Sequence, residues 1–142
     1  MQFAPTSDMV LIDGSVWIAL LRNLGTAPVQ ALRKLLAAGQ AVLSPVIYEE
    51  VLQGATNREN FVRLREYVST RPFLLPKHPI GAPAAAAERY TRWRWVGIAP
   101  RNAYDCPIAQ TALENSIELL ADARGFTAIA GVQPSLLLHS CP

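Results

Sequence analysis

Cysteine and histidine are scarce in this chain, two of each in 142 residues. Cys106 and Cys141 form neither a CxxC pair nor a disulfide framework, so they say nothing against a reducing compartment. His78 and His139 stand among prolines and leucines without HxxxH or HExxH spacing, which speaks against zinc chemistry. Any metal here would be held by oxygen. Also missing is an apolar run near the roughly 20 residues of a membrane span, and the opening MQFAPTSD has neither a basic n-region nor an apolar h-region. These absences lead to the expectation of a soluble, cytoplasmic protein with no membrane contact. Nor is there a dominant charge: 13 Lys and Arg against 11 Asp and Glu leave a net +2, compatible with a polyanionic partner without selecting one. There is no internal repeat, low-complexity tract or linker. With 51% hydrophobic residues, one domain over residues 1–142 can build its own core.

What is present is an alternation of short apolar runs and helical stretches. Met9 to Ile12 suits a buried parallel strand, and Ser15 to Leu24 has helical character until Gly25. Pro28 opens a helix with Val29, Leu32, Leu35 and Leu36 on one side, closed at Gly39. Ala41 to Leu43 is a short strand. Ser44-Pro45 reads as an N-cap followed by proline at the first helical position, predicting a helix from Pro45 to about Gln53 that ends at Gly54. Helices are predicted over Arg58–Val68, Ala84–Trp95 and Tyr104–Asn115, and strands over Phe73–Leu75, Glu118–Leu120 and Leu136–Leu138. Strands alternating with helices imply right-handed crossovers and an α/β fold, a mostly parallel sheet covered on both faces.

The acids fall at telling places in this pattern. Asp13 ends the first apolar run, with Gly14 permitting a sharp turn; such a residue punctuates a turn, caps a helix, or points into the crevice beyond the carboxyl ends of parallel strands. At 100° per residue, Val46, Ile47 and Val51 define an inward arc that contains Glu50, while Glu49 points away. Asp105 heads a stripe continuing through Ile108, Ala109 and Ala112, although for an isolated helix the N-cap reading is preferred. Asp122 follows Leu119-Leu120 at another strand end. With ordinary handedness, Asp13, Glu50, Asp105 and Asp122 would share one edge of the sheet. Carboxylates so gathered repel, and Mg²⁺ or Mn²⁺ would hold them ionised. Hard oxygen ligands suit either ion, which can activate water and neutralise charge in phosphodiester cleavage. Ser15 could orient Asp13 or hold a phosphate oxygen, or simply be a polar residue of the first helical turn.

In order along the chain, VLIDGSVWIALLR, LSPVIYEEVLQGA, DCPIAQTAL and LLADARGFTAIAG resemble PIN-domain proteins, in particular the VapC-type toxins of bacterial toxin–antitoxin pairs. The resemblance implies a three-layer α/β/α sandwich, a Mg²⁺- or Mn²⁺-dependent endoribonuclease, a VapB-type antitoxin partner and a homodimer. It assigns Asp13, Glu50 and Asp105 to the first three acidic positions. Two departures stand out. Gly14 replaces a threonine usual between the first aspartate and the serine, and Ala123 occupies the fourth acidic position, with Asp122 one residue early. Either Asp122 reaches in through a shifted loop, or three acids suffice, or activity is lost.

Between these motifs lie Arg89, Tyr90, Arg92, Trp93, Arg94, Trp95 and Arg101. Arginines interleaved with aromatics can grip phosphates and stack bases, and Arg94 and Arg101 are the candidates for RNA contact. The competing reading makes the tryptophans core or dimer-interface residues and the arginines a solvated face. A non-catalytic RNA-binding or scaffold module of the same fold is the alternative function, motivated by Ala123. A nucleotide-binding domain lacks support, because DGS supplies neither a GxGxxG nor a Walker loop.

Overall fold

The computed structural model describes residues 8–97, 104–122 and 124–141. At its centre β1 (Val10–Ile12) is buried at every position. It pairs in parallel with β2 (Ala41–Val42) on one side and β3 (Glu118–Leu120) on the other, in the order β2-β1-β3. The register sets Val10 against Ala41 and Ile12 against Leu120, so the three strands finish on one edge. A strand covered on both faces reads as an unbroken apolar run, which is how VLI appears in the sequence.

Helices surround the sheet. α1 (Gly14–Leu21) packs on α2 (Ala27–Ala37) and α3 (Pro45–Gln53), and α3 packs on α4 (Arg58–Ser69). α5 (Gly81–Trp95) lies on α6 (Asp105–Asn115), which also meets α7 (Arg124–Val132) and α3. Trp17, Leu11, Ile12, Ile47, Ile108 and Leu119 are fully buried in a shared core. Each such side chain contributes about 1.5–3 kcal/mol relative to exposure. Gly39, at φ +70°, turns α2 into β2 in a conformation that side chains with a Cβ rarely adopt.

The expected α/β architecture with a parallel sheet is found, with several differences of extent. α1 stops at Leu21 rather than Leu24, because Arg22 caps it and Asn23 adopts a left-handed φ of 56°. α5 starts at Gly81, taking Pro83 into its first turn, where the missing N–H costs nothing. The segments 73–75 and 136–138 are not full strands. Each makes one parallel bridge, Phe73 to Leu43 and Leu138 to Leu119, leaving two extended edges on the sheet. α7 is a helix that the sequence did not announce: Thr127, Ile129 and two glycines lower its intrinsic propensity, and burial of Phe126 and Ile129 on one face supports it.

Candidate acidic site at the carboxyl edge of the sheet

Immediately after β1, Asp13 leaves the strand with φ −61° and ψ 150° and becomes the N-cap of α1. Its backbone N–H still donates to Leu120 O at 2.8 Å, tying the cap to the end of β3. The Ser15 N–H donates to Asp13 Oδ2 at 3.2 Å, and the Ser15 hydroxyl donates to the same oxygen. Asp13 is 6% exposed, and its other oxygen, Oδ1, is shielded from solvent without a hydrogen-bond partner among the described residues. A buried carboxylate oxygen left unsatisfied is costly, and a cation at that oxygen removes the cost. Burial pushes the Asp13 carboxyl above its ordinary range; the Ser15 hydrogen bonds and the nearby Gly14 N–H pull it down, and the charge of Asp122 adds to the rise. Capping and a shielded, unpartnered oxygen therefore coexist on one residue.

Glu50 comes to the same place from α3. Ser44, 1% exposed, caps that helix by accepting from the Ile47 N–H at 3.3 Å, and Pro45 fills the first helical position. Ile47 and Val51 then face the core, and Glu50 lies half-buried beside them while Glu49 is exposed. The Glu50 carboxylate rests over Gly14: a Cβ built on Gly14 would stand 2.7 Å from its Cδ and 3.1 Å from its Cγ, and closer still to Oε1. Gly14 therefore works differently from the expectation drawn for it. Its φ is not in the left-handed region, so no sharp turn demands glycine there, and what the residue provides is room.

Asp105 opens α6 and is 5% exposed. The cap position belongs to Tyr104, without a side-chain cap bond, so Asp105 is not an N-cap. The Tyr104 hydroxyl instead reaches across to α3, 2.9 Å from Glu49 Oε2 and 2.7 Å from Gln53 Oε1. The hydrogen bond to Glu49 holds its proton more firmly than in a free tyrosine. This link joins the helix that carries Asp105 to the helix that carries Glu50, and sequence reasoning missed it. Its only signal was the i, i+4 spacing of Glu49 and Gln53, which sets two acceptors on one face. Next to Asp105, burial raises the Cys106 thiol to about 11, with Asp105 adding and Arg89 subtracting, so Cys106 brings no thiolate to this edge.

Asp122 is exposed, two residues beyond β3, and its charge is felt at Asp13. Arg94 is exposed on the last turn of α5 with its guanidinium 5.7 Å over the Tyr90 ring, a contact within its own helix. Of the neighbouring tryptophans, Trp93 is core and Trp95 is 73% exposed. Arg101 and Ala123 lie outside the described residues. Among the described residues no group of three or more Asp, Glu, His or Cys side chains is gathered closely enough to cage a metal ion. Mg²⁺ does not require such a cage, since it commonly takes one or two carboxylates and keeps several waters. Asp13 and Glu50 fit that donor set.

A family model described as the PIN domain matches residues 10–132. Among solved structures, the chain is similar to VapBC2 from Rickettsia felis bound to a DNA fragment from their promoter, with a TM-score of 0.68 at 13% identity over 94% of this chain and 99% of that one. DNA-bound VapBC from Salmonella typhimurium gives a TM-score of 0.68 at 18% identity over 92% and 96%. FitAcB from Neisseria gonorrhoeae gives 0.63 at 19% identity over 93% and 97%. Likeness at such identities is likeness of fold. Among the described residues no helix is long and apolar enough to cross a membrane.

Proposed function

The chain belongs to the PIN domain family, and from that premise we propose that it is a metal-dependent endoribonuclease, the toxin of a VapBC-like toxin–antitoxin pair. The observation that carries this reading is the Asp13 carboxylate: buried, with one oxygen held twice by Ser15 and the other without a hydrogen-bond partner among the described residues, next in sequence to Gly14, over which the Glu50 carboxylate lies, and within the field of Asp122. A buried carboxyl kept at a position where Asn would be less costly points to a functional site. Asp13 and Glu50 would hold Mg²⁺ or Mn²⁺, with Asp105 and Asp122 supplying further charge at the same edge. When bound, the ion supplies a Lewis acid that lowers the pKa of water and neutralises phosphodiester charge.

This chain's own residues do the rest. Ser15 fixes the rotamer of Asp13 through its two hydrogen bonds, leaving Oδ1 as the ligand oxygen. Tyr104 keeps the start of α6 against α3, and Asp105, at that start, is proposed to serve the same edge as Glu50. Arg94 and Arg101 are proposed to meet the RNA backbone outside the acidic edge.

The partner is a VapB-like antitoxin. In support, a groove of about 530 Å³ between α1, α3 and α4 is lined by the apolar Ile18, Leu21 and Leu64 together with Arg22, Arg63 and Glu66, a surface suited to an amphipathic helix. A homodimer is proposed as the working form. Trp95 and Val96, 73% and 68% exposed at the end of α5, are candidates for burial between two copies.

The test is RNA cleavage by the purified chain, freed of partner, with Mn²⁺ and with EDTA, beside Asp13→Asn and Asp105→Asn. The nuclease reading expects cleavage that needs the metal and falls about 10²-fold or more in either variant. RNA binding that is independent of metal and indifferent to Asp13→Asn, without cleavage, would favour the non-catalytic module, which draws on the lack of a third acid close by among the described residues.

A further inference from the structure

We propose that Gly14 is a positioning residue of the acidic site: lacking a Cβ at the first position of α1, it admits the Glu50 carboxylate beside Asp13. The inference rests on the metal-dependent reading above. A backbone reason for glycine is absent, since the described glycines with positive φ are Gly39 and Gly97. Helix propensity argues against glycine, which is less favourable than alanine within a helix by about 1 kcal/mol. The nearest packing neighbours point to one side chain. The three nearest atoms to a Cβ on Gly14 all belong to the Glu50 side chain, namely Oε1, Cδ and Cγ, and none belongs to a backbone. The nearest occupant of the space left by the missing side chain is therefore the end of the Glu50 side chain. Gly25 offers the contrast, with nothing within 4 Å of the same construction.

The identity of the obstructed group decides what a side chain would do there. Glu50 Oε1 and Cδ are the far end of a flexible chain, so an added methyl is accommodated by swinging the carboxylate away, with the fold retained. Metal coordination does not tolerate that movement, because Mg²⁺ demands oxygens at about 2.0–2.1 Å in near-octahedral geometry. Gly14 thus separates the two properties: alanine preserves the helix and removes a ligand from its place.

The experiment is calorimetric titration of Mn²⁺ into the full chain as wild type, Gly14→Ala, Glu50→Ala and the double variant, with metal-free thermal melts of all four. The expected result is a metal-free melting temperature for Gly14→Ala at or above wild type, with Mn²⁺ affinity reduced about tenfold or more, as for loss of an orienting group. In the Glu50→Ala background the Gly14→Ala change should cost no further affinity, since both remove the same carboxylate from the site. Wild-type affinity in a folded Gly14→Ala protein overturns the proposal, and so does a further loss in the double variant. If Gly14→Ala alone unfolds the chain, the double variant should refold it by removing the clashing side chain; failure to do so makes Gly14 a packing residue and ends the proposal. A wild type that takes up no Mn²⁺ overturns the nuclease reading and this one together, whereas failure confined to the variants leaves the nuclease reading standing.

Discussion

Burial raises the Asp13 carboxyl and the charge of Asp122 raises it further, against the pull of the Ser15 hydrogen bonds and the nearby Gly14 N–H. The folded chain therefore holds a proton on this group more tightly than the unfolded chain, whose carboxyl titrates near 3.8. By linkage, the contribution of Asp13 to metal-free stability is fully present below that value and is lost as pH rises through the higher folded pKa. Asn at this position keeps an oxygen for Ser15 and removes the titration. The expected outcome is that Asp13→Asn gains stability over wild type as pH rises from 4 to 7 in EDTA, read as a difference in melting temperature that widens with pH. A wild type and variant that melt in parallel across that range would show that the carboxyl is not shifted. Mn²⁺ affinity should run the other way, weakening as acid protonates the same oxygens.

α3 shows why some elements can be read locally. Ser44 and Pro45 start it and Gly54 ends it, so the bounds predicted from the sequence are those observed. The cap is also open to measurement: Ser44→Ala removes the acceptor of the Ile47 N–H in a buried place, and should lower stability by about 1 kcal/mol, read as a fall of roughly 3–5 °C in a thermal melt. No loss would mean that Pro45 and the core contacts of Ile47 hold the helix start unaided. The helical phase of Glu50 was legible for the same local reason, a fixed angle per residue on a helix with clear ends. α7 was not, because its stabilisation comes from burial of Phe126 and Ile129 against other elements and its own residues favour helix weakly. Segments 73–75 and 136–138 have strand-like composition, but pairing depends on the partner that each finds, and each finds one bridge. Gly14 was read as turn chemistry because a sequence shows the glycine and not the side chain that fills its space.

At the scale of the whole molecule, the parallel register is what makes the site electrostatically expensive. It ends β1 and β3 together and places acids from a strand end, from α3 and from the loop after β3 on one edge. On the proposed reading, that edge opposes folding without metal, and a bound divalent cation would make the same charges favourable. Linkage gives the size of the effect: a ligand at about 100 times its Kd adds about 2.7 kcal/mol to stability when the unfolded chain does not bind it. Wild type should therefore melt below Asp13→Asn in EDTA at neutral pH and above it in saturating Mn²⁺, with the curves crossing as metal is added. Scanning calorimetry over a Mn²⁺ series checks this without any RNA. If Asp13→Asn rises with Mn²⁺ as steeply as wild type, the cation is held elsewhere and the burial of Asp13 needs another cause. A crossing would identify the instability of the metal-free edge with its metal affinity, since both would depend on one carboxylate.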